Sequence, residues 1–119
     1  MKTFTVSGSV PVDPYFPRGN ASKVVEHKGE VYAATLNQTN ISNNNNKFYI
    51  LQIIQTAPND YNFFCRWGRV GVVGQSSNMT TSDLNTAISQ YEAKLRAKTK
   101  GGDYRIVEMN YEADDKDEK

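Results

Sequence analysis

The sequence predicts an α+β fold: an antiparallel β-sheet with one helix packed on a face, preceded by an extended arm that contains proline. Three observations carry that expectation. Short runs of β-type residues follow one another from Val31 to Trp67, separated by Asn-rich or Pro-Asn-Asp turns. A later stretch repeats apolar residues at helical spacing. Three of the four prolines fall at positions 11, 14 and 17, where each removes a backbone donor that a central strand would need.

The elements follow in order. Residues 1–29 read as the arm, with one edge strand at Phe4 to Val10, and they need the main body to hold them. Residues 30–111 form the domain. Its first three strands run from Val31 to Thr39, Lys47 to Thr56 and Tyr61 to Trp67. In the third, Tyr61, Phe63, Cys65 and Trp67 share one face while Asn62, Phe64 and Arg66 share the other. The second is apolar on both faces around Ile50, Leu51, Ile53 and Ile54, as expected of a central strand covered on both sides. Asn43 to Asn46 reads as a loop between the first two. Thr80-Thr81-Ser82-Asp83 offers a helix start, with a Thr cap and Asp three residues later. Leu84, Ala87, Ile88, Tyr91 and Leu95 then form one apolar stripe that packs on the sheet. Lys94, Arg96, Lys98 and Lys100 gather near the helix C-terminus, where the dipole favours cations, and Gly101-Gly102 ends the helix. A phosphate-facing role for one or two of these lysines is the alternative. Tyr104 to Met109 supplies a last strand, and residues 112–119 are an acidic, solvated tail.

A chain of 119 residues holds one domain and one modest core. Its 38% hydrophobic and 11% aromatic content suits a folded β-rich module rather than a disordered segment. No run approaches the ~20 apolar residues of a membrane span, and no apolar signal stretch begins the chain, so a soluble intracellular protein without a membrane partner is expected. The net charge of +1 conceals an asymmetry. Residues 112–119 hold five acids and two bases, which leaves twelve bases against eight acids in residues 1–111. Such a basic body suits a polyanionic partner.

Catalytic chemistry is not legible in these residues. Cys65 is the single cysteine, unable to form an internal disulfide and placed as a small buried hydrophobe. His27 is the single histidine and reads as a surface residue. Neither metal-ligand spacing nor a phosphate loop occurs, so no cofactor and no metal are expected. The informative segment is Arg66-Trp67-Gly68-Arg69-Val70-Gly71-Val72-Val73-Gly74-Gln75. Its only Trp lies between two arginines and three close glycines follow. An indole stacks on a sugar or base, guanidiniums fork onto phosphate, and glycines permit close approach of backbone. The competing reading is a core Trp at a strand end with two solvated arginines beside it.

The segment resembles the WGR domain of DNA-dependent poly(ADP-ribose) polymerases. The resemblance continues upstream through Val31 to Asn40 and Asn44 to Gln52, downstream through Gly71 to Gln75, and even the leader Val10 to Pro14 looks like the shorter polymerases. It implies a nuclear DNA-binding module in DNA-damage repair that recognises strand breaks beside a 5′ phosphate. In a parent polymerase it would relay binding to a separate ADP-ribosyltransferase domain, which these residues do not resemble. The implied DNA-binding residues are Asn46, Lys47, Arg66, Trp67, Arg69 and Tyr104. Trp67 would stack on the terminal sugar or base, Arg69 would touch the backbone and the catalytic part, Asn46 and Lys47 would hold phosphate, and Tyr104 would support the DNA face. Arg66 stands two positions before Gly68 on a strand and can point away from Trp67. Two departures stand out: Lys98 to Tyr104 is shorter than in those polymerases, which bears on the role of Tyr104, and Val72-Val73 replaces a position often basic in the family, which bears on affinity. The other readings are a protein-interaction module docking a catalytic partner, and single-strand binding on an aromatic sheet through Tyr49, Tyr61 and Phe63.

Overall fold

The computed structural model describes residues 11–17, 22–40, 45–102 and 104–109. The strand expected at Phe4 to Val10 and the acidic tail lie outside these residues, as do Asn43 and Asn44. The described elements are β1 (Lys23–Val24), β2 (Glu26–His27), β3 (Glu30–Val31), β4 (Ala33–Asn40), β5 (Asn45–Ala57), β6 (Asp60–Arg69), β7 (Gln75–Thr81), α1 (Leu84–Thr99) and β8 (Arg105–Met109). The main sheet is antiparallel in the order β7-β6-β5-β4-β8, with β1 also pairing to β5. One helix lies over β5, β6 and β7. This is the α+β architecture that the sequence predicts.

Strands β1 and β4 behave as one strand along β5, interrupted by a hairpin. Val25 N–H donates to the Ile53 carbonyl, Ile53 N–H to Tyr32, and Tyr32 N–H to Val25, at 2.8 to 3.0 Å. The intervening β2–β3 hairpin turns at Lys28 and Gly29, both at positive φ (54° and 80°), as a two-residue turn matched to strand twist requires. Strands β1 and β2 therefore draw on residues that the sequence assigns to the arm. On the other side of β5, Pro58-Asn59 makes the turn to β6, with Asn59 at φ 60°.

The central strand is covered on both faces. Tyr49, Leu51 and Ile53 point to the helix, where Tyr32, Ala34, Leu36, Phe63, Cys65, Ala87 and Tyr91 complete the core. Leu84, Ile88 and Leu95 pack at its margin, as the helical stripe predicts. Burial of each large apolar side chain contributes about 1.5–3 kcal/mol, and Leu36, Leu51 and Ile53 are fully buried. The opposite face is covered by the arm. Phe16 meets Phe64 edge-on at 5.3 Å beside Ile54 and Val12.

Two features differ from expectation. Gln75–Thr81 is a strand, an edge with a mostly exposed polar sequence. It takes Thr80 and Thr81 into pairing with Asn62 and Tyr61, so neither threonine starts the helix. Asp83 caps it instead, its carboxylate accepting from Asn85 N–H at 3.2 Å and Thr86 hydroxyl at 2.9 Å. At the other end Gly101 adopts φ 78° just beyond the last turn, the left-handed position that favours glycine.

Cys65 is buried, and desolvation pushes its thiol pKa up to about 11, against smaller lowering effects led by Lys94. At pH 8 the native thiol is therefore expected to resist Ellman's reagent, which requires thiolate, and to react at once in denaturant. An acid whose folded pKa is raised favours the native state below its unfolded value. That contribution is lost as pH rises from about 9 to 11. Fast labelling without denaturant would overturn this placement.

Candidate nucleic-acid interface

The candidate site forms where β5 begins and β6 ends. Antiparallel register sets Lys47 opposite Arg69 and Tyr49 opposite Trp67, and directly opposed residues share a face. Because Tyr49 belongs to the core under the helix, that is the helix side of the sheet. The Tyr49 and Trp67 rings stack with centroids 5.4 Å apart and planes 10° from parallel. Tyr104 meets Tyr49 edge-on at 5.9 Å, and the Lys98 ammonium lies 4.8 Å from the Tyr49 centroid. Tyr104 N–H donates to the Lys98 carbonyl at 3.2 Å, which fastens the helix-to-strand connection and sets Tyr104 against the cluster. Burial comes first among the causes that raise the Tyr49 hydroxyl pKa, up to about 12, so this phenol stays neutral at physiological pH.

Trp67 is half-buried: one part of the indole is spent on Tyr49 and the rest reaches the surface. Arg69 is exposed and Lys47 partly so. Two cations directly opposed across a ladder repel each other, a cost that an anion bound between them would offset.

Two of the three glycines that follow Trp67, Gly68 and Gly74, serve close packing within the protein. Gly74 has φ 82°, and a Cβ there would run into the Trp67 carbonyl, 2.8 Å from its carbon. A Cβ on Gly68 would lie 2.9 Å from the Gly74 Cα. The turn thus folds back on the strand, and Val70 N–H bonds the Asn46 carbonyl at 2.9 Å. Val70, Val72 and Val73 remain exposed on it.

Asn46 and Arg66 lie on the other face of the sheet. Asn46 Oδ1 accepts from Asn37 Nδ2 at 2.8 Å and Thr39 Oγ1 at 3.2 Å. Arg66 is paired with Asp13, and all three of its guanidinium nitrogens have partners inside the protein. The six sequence-derived residues therefore divide. Lys47, Trp67, Arg69 and Tyr104 come together, whereas Asn46 is at the rim and Arg66 behind the sheet. Two participants were missed by the sequence reading as members of this cluster, Tyr49 and Lys98. The signal for Tyr49 was its place two residues after Lys47 on the same strand face. The aromatic sheet of the single-strand reading is mostly covered, since Tyr49 and Phe63 are buried.

Residues 32–110 match the profile of the WGR domain. The chain belongs to the WGR domain family. This WGR domain is 43% identical over 95 residues to human mono-ADP-ribosyltransferase PARP3, a match covering 70% of the chain and 18% of that protein. It is 34% identical over 133 aligned positions to human poly(ADP-ribose) polymerase 2, covering 99% of the chain and 23% of the relative. Against poly(ADP-ribose) polymerase 2 of Zea mays the identity is 41% over 105 residues, with 83% and 16% covered. The chain thus spans less than a quarter of each of these relatives. Among the described residues the WGR domain has no cluster of His, Cys, Asp or Glu able to hold a metal, and no helix long and apolar enough to cross a membrane.

Proposed function

We propose that this WGR domain binds DNA at strand breaks beside a 5′ phosphate. In a parent polymerase it then relays binding to an ADP-ribosyltransferase domain, and the location is nuclear. The observation that carries the reading is the Lys47–Arg69 cross-strand pair flanking the Tyr49–Trp67 stack. Stacking suits a terminal base or sugar, and the paired cations suit the phosphate beside it. Tyr104 supports the stack through Tyr49. Asn46 holds the rim of the site, and its carbonyl anchors the turn that presents Arg69. Nothing in this arrangement requires a base-reading helix in the major groove. An end reader needs phosphate contacts and a stacking platform.

The test is a titration of duplexes with and without a 5′ phosphate, and of an unbroken circle, at several salt concentrations. Tightest binding to the phosphorylated end is expected; equal affinity for the circle removes end recognition. Arg69→Ala is expected to leave the melt nearly unchanged, because exposed charges contribute little stability. The slope of log affinity against log salt should fall by about one unit for each phosphate that the variant no longer neutralises. Arg69→Lys should rescue partly, since it keeps the charge without the planar fork.

A second reading, docking of a catalytic partner with little DNA contact, draws on the exposed Val70, Val72 and Val73 beside Arg69. Salt-insensitive binding to a polymerase catalytic fragment, with no binding to any DNA, would favour it.

A further inference from the structure

The arm is joined through Arg66 to the turn that follows Arg69. Asp13 sits on the face of the sheet away from the helix, its N–H donating to Gln52 Oε1 at 2.9 Å while Gln52 Nε2 donates to the Pro11 carbonyl at 3.2 Å. One Asp13 oxygen accepts the Tyr15 N–H at 2.8 Å. The carboxylate also takes Arg66 Nε at 3.1 Å and Nη2 at 3.0 Å, with the two side chains only 3% and 12% exposed. Arg66 Nη1 donates to the Val73 carbonyl at 2.7 Å. The guanidinium lies 4.7 Å from the Tyr15 ring centre on the arm and 5.0 Å from that of Phe48 on β5.

A buried ion pair adds little net stability, because desolvation consumes most of its attraction. What this one supplies is geometry. Val73 precedes Gly74, whose backbone is pressed against the Trp67 carbonyl and Gly68. A fixed Val73 carbonyl therefore fixes the return of the turn that begins at Arg69. Only a forked head can hold Asp13 and Val73 together; an ammonium on a flexible stem offers no such pre-set angle.

We infer that Asp13 and Arg66 are positioning residues for the nucleic-acid surface: docking of the arm, through Arg66, sets the turn that adjoins Trp67 and Arg69 at the end of β6. The inference rests on the reading of that surface as the DNA-binding face. It makes the arm part of the binding apparatus without touching DNA, and it gives Arg66 a different task from Arg69.

Charge gives the test its sign. Removing an acid from a polyanion-binding protein should, by electrostatics alone, strengthen binding. Positioning demands the opposite. In the full chain, Asp13→Asn and Arg66→Lys are each expected to weaken binding to a 5′-phosphorylated duplex about 3- to 10-fold, measured well below their melting temperatures. The salt slope should be unchanged because the same phosphates are neutralised. Amide signals of Gly71, Val72 and Gly74 should shift, and the Val72 N–H, bonded to the Arg69 carbonyl at 3.2 Å, should lose exchange protection even without DNA. Tyr15→Ala, at an exposed ring, serves as the variant least able to disturb folding and should show the same effects more weakly. Folded variants with parental turn signals and equal or tighter binding would overturn the inference. A parent that binds no DNA, with the turn still released by Arg66→Lys, would sink the DNA reading and leave the positioning intact.

Discussion

Gly74→Ala is expected to destabilise the domain by about 2–6 kcal/mol, the sum of a left-handed backbone imposed on a residue with a Cβ and an overpacked contact that cannot relax. The backbone is at φ 82°, and the new methyl would be driven into the Trp67 carbonyl, with the Phe48 ring 3.2 Å away on another side. None of these neighbours is the free end of a flexible chain. Gly71→Ala is the matched control: its φ is 101° but nothing lies within 4 Å of its Cβ direction, so only backbone strain of about 1–3 kcal/mol applies. Urea unfolding of both variants gives the comparison. Equal midpoints would mean that Gly74 is required for its torsion alone and that the close approach to Trp67 carries no weight.

Trp67→Ala should weaken binding to phosphorylated ends by about 1–3 kcal/mol, the range for losing one stacked base. It should also cost stability, because the Tyr49 ring loses a parallel partner worth about 0.5–1.5 kcal/mol beyond area burial. The two losses separate by temperature. Binding is to be titrated where the variant is fully folded by circular dichroism, with Trp67→Phe as the control that keeps a ring over Tyr49. Parental affinity in folded Trp67→Ala would confine the indole to the core margin.

Much of the fold was legible because burial leaves a period in the sequence. The alternation of Tyr61, Phe63, Cys65 and Trp67 gave the helix-facing side of β6, and the two-sided apolar run of β5 reported cover on both faces. Leu84 to Leu95 gave the helix. Strand β7 was not legible because Gln75–Thr81 buries almost nothing; backbone pairing to β6 orders it, and pairing has no side-chain signature. That same pairing moved the helix cap from Thr80 to Asp83. At the candidate site, strand parity separated Arg66 from Trp67. It could not supply Asp13, a partner 53 positions away whose approach depends on how the arm crosses the sheet. Lys98 was visible as a helix-end cation, with a phosphate-facing role as the alternative; its place over Tyr49 follows from where α1 stops.

The hairpin between Val25 and Tyr32 gives experimenters a handle. The hydrogen bonds that those two residues and Ile53 exchange close the ladder beneath it, so the register of β4 on β5 does not depend on what the loop contains. Nothing lies within 4 Å of the Cβ direction at Gly29, leaving room at the tip. Ile53 lies six positions along β5 from Lys47, roughly 20 Å at strand rise. A dye or peptide tag inserted at Lys28-Gly29 would therefore ride on the domain within energy-transfer range of a labelled duplex end, without entering the surface it is meant to watch.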